Sequence, residues 1–340
     1  MTMTPTQPPQ TPSSRPRRRY GLAIAAALFA LIAVALVLPD VVRLDRISPF
    51  SQLVAFRPLI AAAAAVLAVV LGLLTIRFHG AWPFAAVLGV VVAVAAVLVV
   101  PRTINTATSS APEQGRQYTV LAFNAYFGRA DANALTEVIR TQRPDIVALA
   151  ESGPKFRDRI APLVQPLGYR TLTIDDGRGS EVGGMTALAA SRLGDVKASR
   201  ASDTPFPYVE LGGGELGELS FVGVHPVPPV PGRVPQWRAD LAALSRWCSG
   251  DTPAIIAGDL NATLDHSVLR EAIQGCSDAA AQQGASLVAT WPSNQPRWLG
   301  PQIDHVLVTE GITAQSFDVI DIPGSDHRAI LTRLTVPAGS

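Results

Sequence analysis

The sequence predicts an α/β domain built as a two-sheet sandwich and standing behind three membrane-crossing helices. Two observations carry that expectation. Three apolar runs without a charged residue fill most of the first hundred positions, and beyond them short β-rich runs outnumber helical ones. Composition agrees: 48% of residues are hydrophobic and 16% charged, against about 25% charged in ordinary soluble domains. A disordered chain, a collagen-like chain and a disulfide scaffold are excluded, since two cysteines cannot staple 340 residues. The 26 arginines against two lysines, with heavy alanine use, are the residue bias of a GC-rich genome.

The tail at residues 1–20 is rich in Thr, Pro, Gln and Ser, the composition of a disordered segment. The apolar runs Gly21–Leu38, Leu59–Ile76 and Ala81–Val100 follow, each about as long as a helix that crosses the hydrocarbon. A single run of this kind is also what a buried helix or a signal sequence offers. Three in succession, the later two too long for a signal peptide, favour a membrane unit over residues 21–100. Arg15, Arg17, Arg18 and Arg19 precede the first span with no acid nearby, which keeps the N-terminus in the cytoplasm. Three crossings then leave the C-terminal part on the extracytoplasmic side. The Pro39–Pro58 loop would also be external, and its Arg43, Arg46 and Arg57 weaken the charge asymmetry without reversing it. No span carries an ionisable residue of the kind that marks a transport path, so the unit reads as an anchor in the lipid bilayer.

Residues 101–117 turn polar, as a linker does, and residues 118–340 have the size of one domain. Beyond Arg102 there are 19 basic and 25 acidic residues, a net charge of −6. A sequence-independent nucleic-acid binder presents a basic face, so this balance counts against DNA or RNA without excluding them. Strands are expected at Tyr118–Ala125, Ile146–Ala150, Thr186–Ser191, Tyr208–Leu211, Leu219–Val224, Ala254–Ala257, Ile303–Val308 and Ile330–Leu334. Asp131 opens a helix with Leu135, Val138 and Ile139 on one face. A second helix, Pro235–Cys248, would bury Leu241, Leu244 and Trp247, and a short one follows His266.

Polar residues collect where the apolar strands end. Asn124 ends the first and Glu151 follows the second. His225 follows Phe221–Val224, Asp259 and Asn261 follow Ala254–Gly258, Asp304 and His305 sit beside Ile303, and Asp326 with His327 precedes Ile330. Any one Asp after a strand is ordinarily a turn residue; six such sites together point to a shared centre. Carboxylates and amide oxygens are hard donors suited to magnesium or manganese, and the cysteines are not spaced as zinc ligands. A His beside an Asp, fixed by another carboxylate, serves as general acid or base. The combination suggests metal-assisted attack of water on a phosphate ester.

Leu121-Ala-Phe-Asn124, Ala148-Leu-Ala-Glu151, Gly223-Val-His225-Pro226, Gly258-Asp259-Leu-Asn261, Ile303-Asp304-His305 and Ser325-Asp326-His327 together resemble the endonuclease/exonuclease/phosphatase superfamily, in a membrane-anchored form. The resemblance covers Tyr118 to the C-terminus and nothing of the anchor. It implies a four-layer sandwich, two β-sheets flanked by helices. It also implies Glu151 as main metal ligand, with Asn124 and Asp326 completing the metal site for Mg, or Mn. Asp259 would orient or deprotonate the attacking water, Asn261 would hold a phosphate oxygen, and His327 would act on the phosphate as acid or base, oriented by Asp304. His225 would bind phosphate or assist the leaving group. Some nuclease members carry a further carboxylate two residues after the first Asn, where this chain has Tyr126, which weakens the abasic-site branch and a second metal. His305 is read as structural.

The remaining features leave alternatives open. Pro226–Pro235 is a stiff loop beside His225 or a polyproline ligand. Trp291, Arg297 and Trp298 could stack on a base, dip into a bilayer, or simply pack. Cys248 and Cys276, both in the outer domain, could pair; the sequence leaves this undecided. Three function classes follow: an extracytoplasmic phosphoesterase acting on a lipid headgroup or envelope glycan phosphate, an extracellular nuclease, and a non-catalytic binding protein that kept the fold.

Overall fold

The computed structural model describes residues 15–106 and 115–337. The expected tail as far as residue 14, and the middle of the expected linker, lie outside these.

Three long helices come first: α1 (Arg15–Val37), α2 (Arg57–Leu74) and α3 (Trp82–Val99). All three are long and apolar enough to cross a membrane. They meet one another along a thin seam of Ala33, Val37, Ala64, Leu88, Val91 and Ala95. Their other faces are bare: Leu31, Val69 and Val97 are 68%, 63% and 73% exposed, a continuous apolar surface of the kind a lipid phase covers.

The rest is a sandwich of two six-stranded sheets. The first has the order β11 (Thr313–Ile320), β12 (Ala329–Pro337), β1 (Gly115–Asn124), β2 (Ile146–Ala150), β4 (Met185–Ala190), β3 (Tyr169–Ile174). The second runs β5 (Lys197–Arg200), β6 (Val209–Gly212), β7 (Ser220–Val224), β8 (Ala254–Asp259), β10 (Asp304–Thr309), β9 (Cys276–Asp278). Side chains alternate along each strand, as the pleat requires. Val120, Ala122, Ile146, Ala148, Ile255 and Ala257 fill the space between the sheets. Leu121, Phe123, Val147 and Leu149 point outward instead, under α4 (Ala132–Gln142) and α5 (Pro154–Val164). Val222, Val224 and Ile256 do the same under α6 (Val234–Ala242) and α7 (Ser267–Ala272). The four layers are thus helix, sheet, sheet, helix. Asp131 caps α4 as expected, accepting from the amides of Asn133 and Ala134.

All eight expected strands are present within a few residues. The expected helix Pro235–Cys248 breaks after Ala242 and resumes for one turn at Ser245–Cys248, keeping Leu241, Leu244 and Trp247 buried. Cys248 and Cys276 form a disulfide, with Cα atoms 5.0 Å apart.

The Pro39–Pro58 loop does not hang free. The Arg57 guanidinium, fully buried, donates to Val37 O at 3.2 Å, to Asp265 Oδ1 at 2.8 Å and to Asp40 Oδ1. Arg102, beyond α3, reaches the same Asp265 oxygen at 2.6 Å, and Arg270 binds Asp40 at 2.6 Å. Asp45 accepts from Ser267 N and Oγ at the start of α7, and His266 Nε2 donates to Ser51 O at 2.8 Å. The ends of all three long helices that face the sandwich are therefore tied to the segment Asp265–Arg270.

Removing one partner of such a buried cluster leaves uncompensated charge, a loss of about 3–5 kcal/mol. Arg57→Ala should therefore lower the apparent melting temperature of the full chain in detergent markedly, while Arg140→Ala, on the exposed pair with Glu137, leaves it unchanged. Equal melting of the two variants would contradict a load shared through Arg57.

Candidate active site

Strand direction explains why six distant motifs meet. Each sheet contains one parallel pair, β1 with β2 and β7 with β8. In register, Asn124 lies beside Ala150 and Val224 beside Gly258, so Asn124 emerges next to Glu151, and His225 next to Asp259. The antiparallel neighbours begin where these end. Asp304 opens β10 directly opposite Asp259, and Asp326 and His327 precede β12, the antiparallel neighbour of β1. All eight predicted site residues thus lie at one end of the sandwich, the usual ligand end of parallel strands.

The backbone is bent to present them. Of the non-glycine residues with left-handed φ, four belong here: Tyr126, Phe127, Glu151 and Asn261, at 49–53°. Each such conformation costs on the order of 1–3 kcal/mol and persists where the surroundings enforce it. Gly258 has φ +152°, and a Cβ there would stand 2.0 Å from Val224 O. Only glycine lets β8 approach β7 so closely just before Asp259.

Asp259 is the hub. Its Oδ1 accepts from Asn261 N at 2.8 Å and its Oδ2 from Asn124 Nδ2 at 3.0 Å. His327 Nε2 and His225 Nε2 approach Oδ2 at 3.6 and 3.8 Å, ion-pair rather than hydrogen-bond distances. Asn124 Nδ2 also donates to Glu151 Oε1 at 3.1 Å, while Asn124 Oδ1 accepts from Tyr126 N at 2.8 Å. Glu151 Oε2 takes Phe127 N at 2.7 Å. The Asn261 side chain donates to Pro226 O at 3.1 Å, tying the Gly-Asp-Leu-Asn turn to the turn after His225.

The two histidines are pushed apart in protonation. Burial holds the His225 imidazole below its ordinary range, against the pull of Asp259, so it is neutral. Burial works the same way on His327, but the Asp304 and Asp259 carboxylates outweigh it and push this imidazole up to about 10. Asp304 Oδ2 accepts from His327 Nδ1 at 2.9 Å and fixes its orientation. Burial raises Asp259 and Glu151 above the usual carboxylate range, the latter also through Asp326.

Two groups of atoms could hold a cation. The ligand atoms of Asp259, Asp304 and His327 lie within 4.8 Å of one another. There Asp259 is engaged by Asn124 and Asn261, and Asp304 Oδ2 by His327 Nδ1, which leaves Asp304 Oδ1 buried with no hydrogen-bond partner. The second group is Glu151 with Asp326. Asp326 Oδ2 accepts from Trp291 Nε1 at 3.1 Å, but its Oδ1 is buried with no hydrogen-bond partner. Such an orphaned carboxylate oxygen beside a second carboxylate is what a bound cation relieves.

Glu181 and Phe206, which the sequence does not single out, and several residues to which it assigns no part in the chemistry complete the site. Phe206 stacks on His225, centroids 5.0 Å apart. Glu181 accepts from the amides of Gly153, Lys155 and Phe156, holding the chain just after Glu151. Ser325 Oγ donates to Asn124 O at 2.7 Å and accepts from His327 N at 3.0 Å, linking β1 to the Ser-Asp-His turn. Trp291 serves Asp326, whereas Trp298 stands 70% exposed. His305 is buried between Asp278 and Ala262 O, a structural role.

A family model described as the Endonuclease/Exonuclease/phosphatase family matches residues 121–327. The chain belongs to the endonuclease/exonuclease/phosphatase family. Its fold is similar to that of a Bacteroides vulgatus endonuclease/exonuclease/phosphatase, at 15% identity over 65% of this chain and 99% of that one, TM-score 0.50. It is also similar to humanized D. rerio TDP2, at 15% identity over 64% and 98% of the two chains, TM-score 0.52. No curated protein matches the chain.

Because the folded value of His327 lies above the ordinary ~6.5, its proton stabilises the metal-free fold fully below pH 6.5. That contribution is lost as pH rises toward 10. Asp304→Asn removes the nearest negative charge. NMR titration of the metal-free protein should find His327 titrating near 10 in the parent and well below that in Asp304→Asn; an unmoved titration would show that Asp304 does not set it.

Proposed function

We propose that the chain is a membrane-tethered, divalent-metal-dependent phosphoesterase whose catalytic domain works on the extracytoplasmic side. The observation that carries this reading is the convergence of Glu151, Asp326, Asp259, Asn261 and the two histidines on one cleft of about 620 Å³. Glu151 and Asp326 would hold the cation, magnesium or manganese, with Asn124 closing that side. When bound, the ion neutralises charge on the phosphate.

The chain's own groups divide the remaining work. Asp259 accepts hydrogen bonds from fixed donors and can orient a water and take its proton, its basicity raised by burial. Asn261, held by Pro226 O, offers its remaining amide capacity to a phosphate oxygen. Protonated His327 can stabilise negative charge on the phosphate or give its proton to the leaving oxygen, with Asp304 keeping the ring in place. Neutral His225, clamped by Phe206, faces the same pocket as a second donor.

The tether rests on the three apolar helices, and the sidedness on the arginines at the start of α1 together with the Cys248–Cys276 disulfide, a bond favoured outside the cytoplasm. Substrates considered are a lipid headgroup first, then an envelope glycan phosphate. Cleavage of DNA is the second reading, favoured by the family's nucleases and disfavoured by a domain charge of −6. A non-catalytic role is the third.

The full chain in detergent micelles, assayed on a chromogenic phosphodiester with plasmid nicking and phospholipid headgroup release alongside, tests this. Hydrolysis should require magnesium or manganese and fall about 100-fold or more in Glu151→Ala and in Asp326→Ala, as loss of several kcal/mol of charge stabilisation implies. Undiminished hydrolysis in either variant, or in chelator, would reject the metal assignment. Absence of any hydrolysis would favour a binding protein. Protease protection of the domain in intact cells would reverse the sidedness.

A further inference from the structure

One wall of the cleft comes from outside the sandwich. Gln52, Ala55 and Phe56, in the segment between α1 and α2, line it together with Phe127, Val182 and Val230. This loop is fastened on both rims: His266 Nε2 donates to Ser51 O, and Gln52 Nε2 reaches Pro229 O in the proline-rich turn after His225. It is a fixed part of the site, separated from the carboxylates by about 100 to 270 residues of sequence but not in space.

The position of that wall matters as much as its chemistry. Phe56 immediately precedes Arg57, the first residue of α2, so the wall stands at the outer end of a membrane-length helix. A smaller adjoining cavity of about 180 Å³ lies between Phe56, Pro58 and Leu59 of this region and Trp298 of the catalytic domain. Trp298 is 70% exposed and shares this cavity with Pro58 and Leu59 of the first turn of α2, and indole rings favour a lipid–water interface. At the cleft mouth Phe127 and Val230 are 48% and 44% exposed. Arg233 is the only Arg or Lys lining the cleft among the described residues, where a groove that tracks a nucleic-acid backbone needs several. The cleft therefore combines phosphate-handling groups with an apolar lining, and part of that lining comes from the segment that leads into α2.

We propose that Ala55 and Phe56 determine specificity by receiving the apolar chain of an amphiphilic phosphoester drawn from the adjoining leaflet, while its phosphate lies against Asn261 and His327. This rests on the phosphoesterase reading of the same cleft. The anchor thus supplies part of the substrate site as well as holding the enzyme at the membrane.

The test uses the full chain in micelles with magnesium and two probes sharing one leaving group, p-nitrophenyl ethyl phosphate and p-nitrophenyl hexadecyl phosphate. Wild type should prefer the hexadecyl ester in kcat/KM by about 10-fold or more, and Ala55→Asp or Phe56→Ser should bring the ratio toward one. Ethyl-ester turnover reports folding in each variant; should Ala55→Asp lose both activities, Val230→Ser, in the apolar lining contributed by the catalytic domain, reads the same ratio. Turnover of the ethyl ester with no chain preference in wild type, or an unchanged ratio in the variants, would overturn the inference and leave the phosphoesterase reading intact. Faster cleavage of a single-stranded oligonucleotide than of the hexadecyl ester would overturn it in favour of a nuclease. No turnover of either ester or of the oligonucleotide would remove the phosphoesterase reading, and the inference with it.

Discussion

A carboxylate withdrawn from water has to be surrounded by donors, and the donors around Asp259 come from both sheets. Asn124 reaches it from β1 and Asn261 from its own turn, while His225 and His327 close in from β7 and from the approach to β12. Burial of that one group requires β1 and β8 to end at the same level, and the remaining site residues follow from the strand directions. The same burial raises Asp259 toward a useful base and, through its charge, helps hold the proton on His327. The fold and the electrostatics of the site are in this sense one constraint.

Six residues further on, the same segment meets a second buried charge. Asp265 receives Arg57 from the start of α2 and Arg102 from beyond α3, and His266 holds the loop that walls the cleft. The stretch Asp259–His266 therefore faces the chemistry at one end and the anchor at the other. Any tilt of the helices against the sandwich would strain groups that cannot be left unpaired without heavy cost, so the cleft keeps a fixed attitude to the membrane-length helices.

What was legible in the sequence, and what was not, has a physical pattern. The eight expected strands are the interior strands of the two sheets, which read as apolar runs because both faces are covered. The four that escaped notice, β3, β5, β9 and β11, are the four sheet edges; an edge strand is partly solvated and often polar, as Lys197–Arg200 is. The site residues were visible because each polar group ends an apolar strand. Their partners are less so: Glu181 and Phe206 sit in loops with no periodicity, and the Ser-Asp-His motif contains Ser325 without showing that its hydroxyl links two strands. Arg57 was read only as a charge that blurs membrane topology, since its partner Asp265 lies more than two hundred positions away.

Metal binding read without turnover tests the central claim most directly, because it separates the Glu151–Asp326 side of the cleft from the Asp304–His327 side. Manganese titration of the full chain, followed by electron paramagnetic resonance, should find one tight ion per chain. This ion should be lost in Glu151→Ala and in Asp326→Ala and kept in Asp304→Asn. Retention of the ion in both alanine variants, with loss in Asp304→Asn, would put the cation on Asp259, Asp304 and His327 and contradict the assignment of acid, base and metal ligand made here.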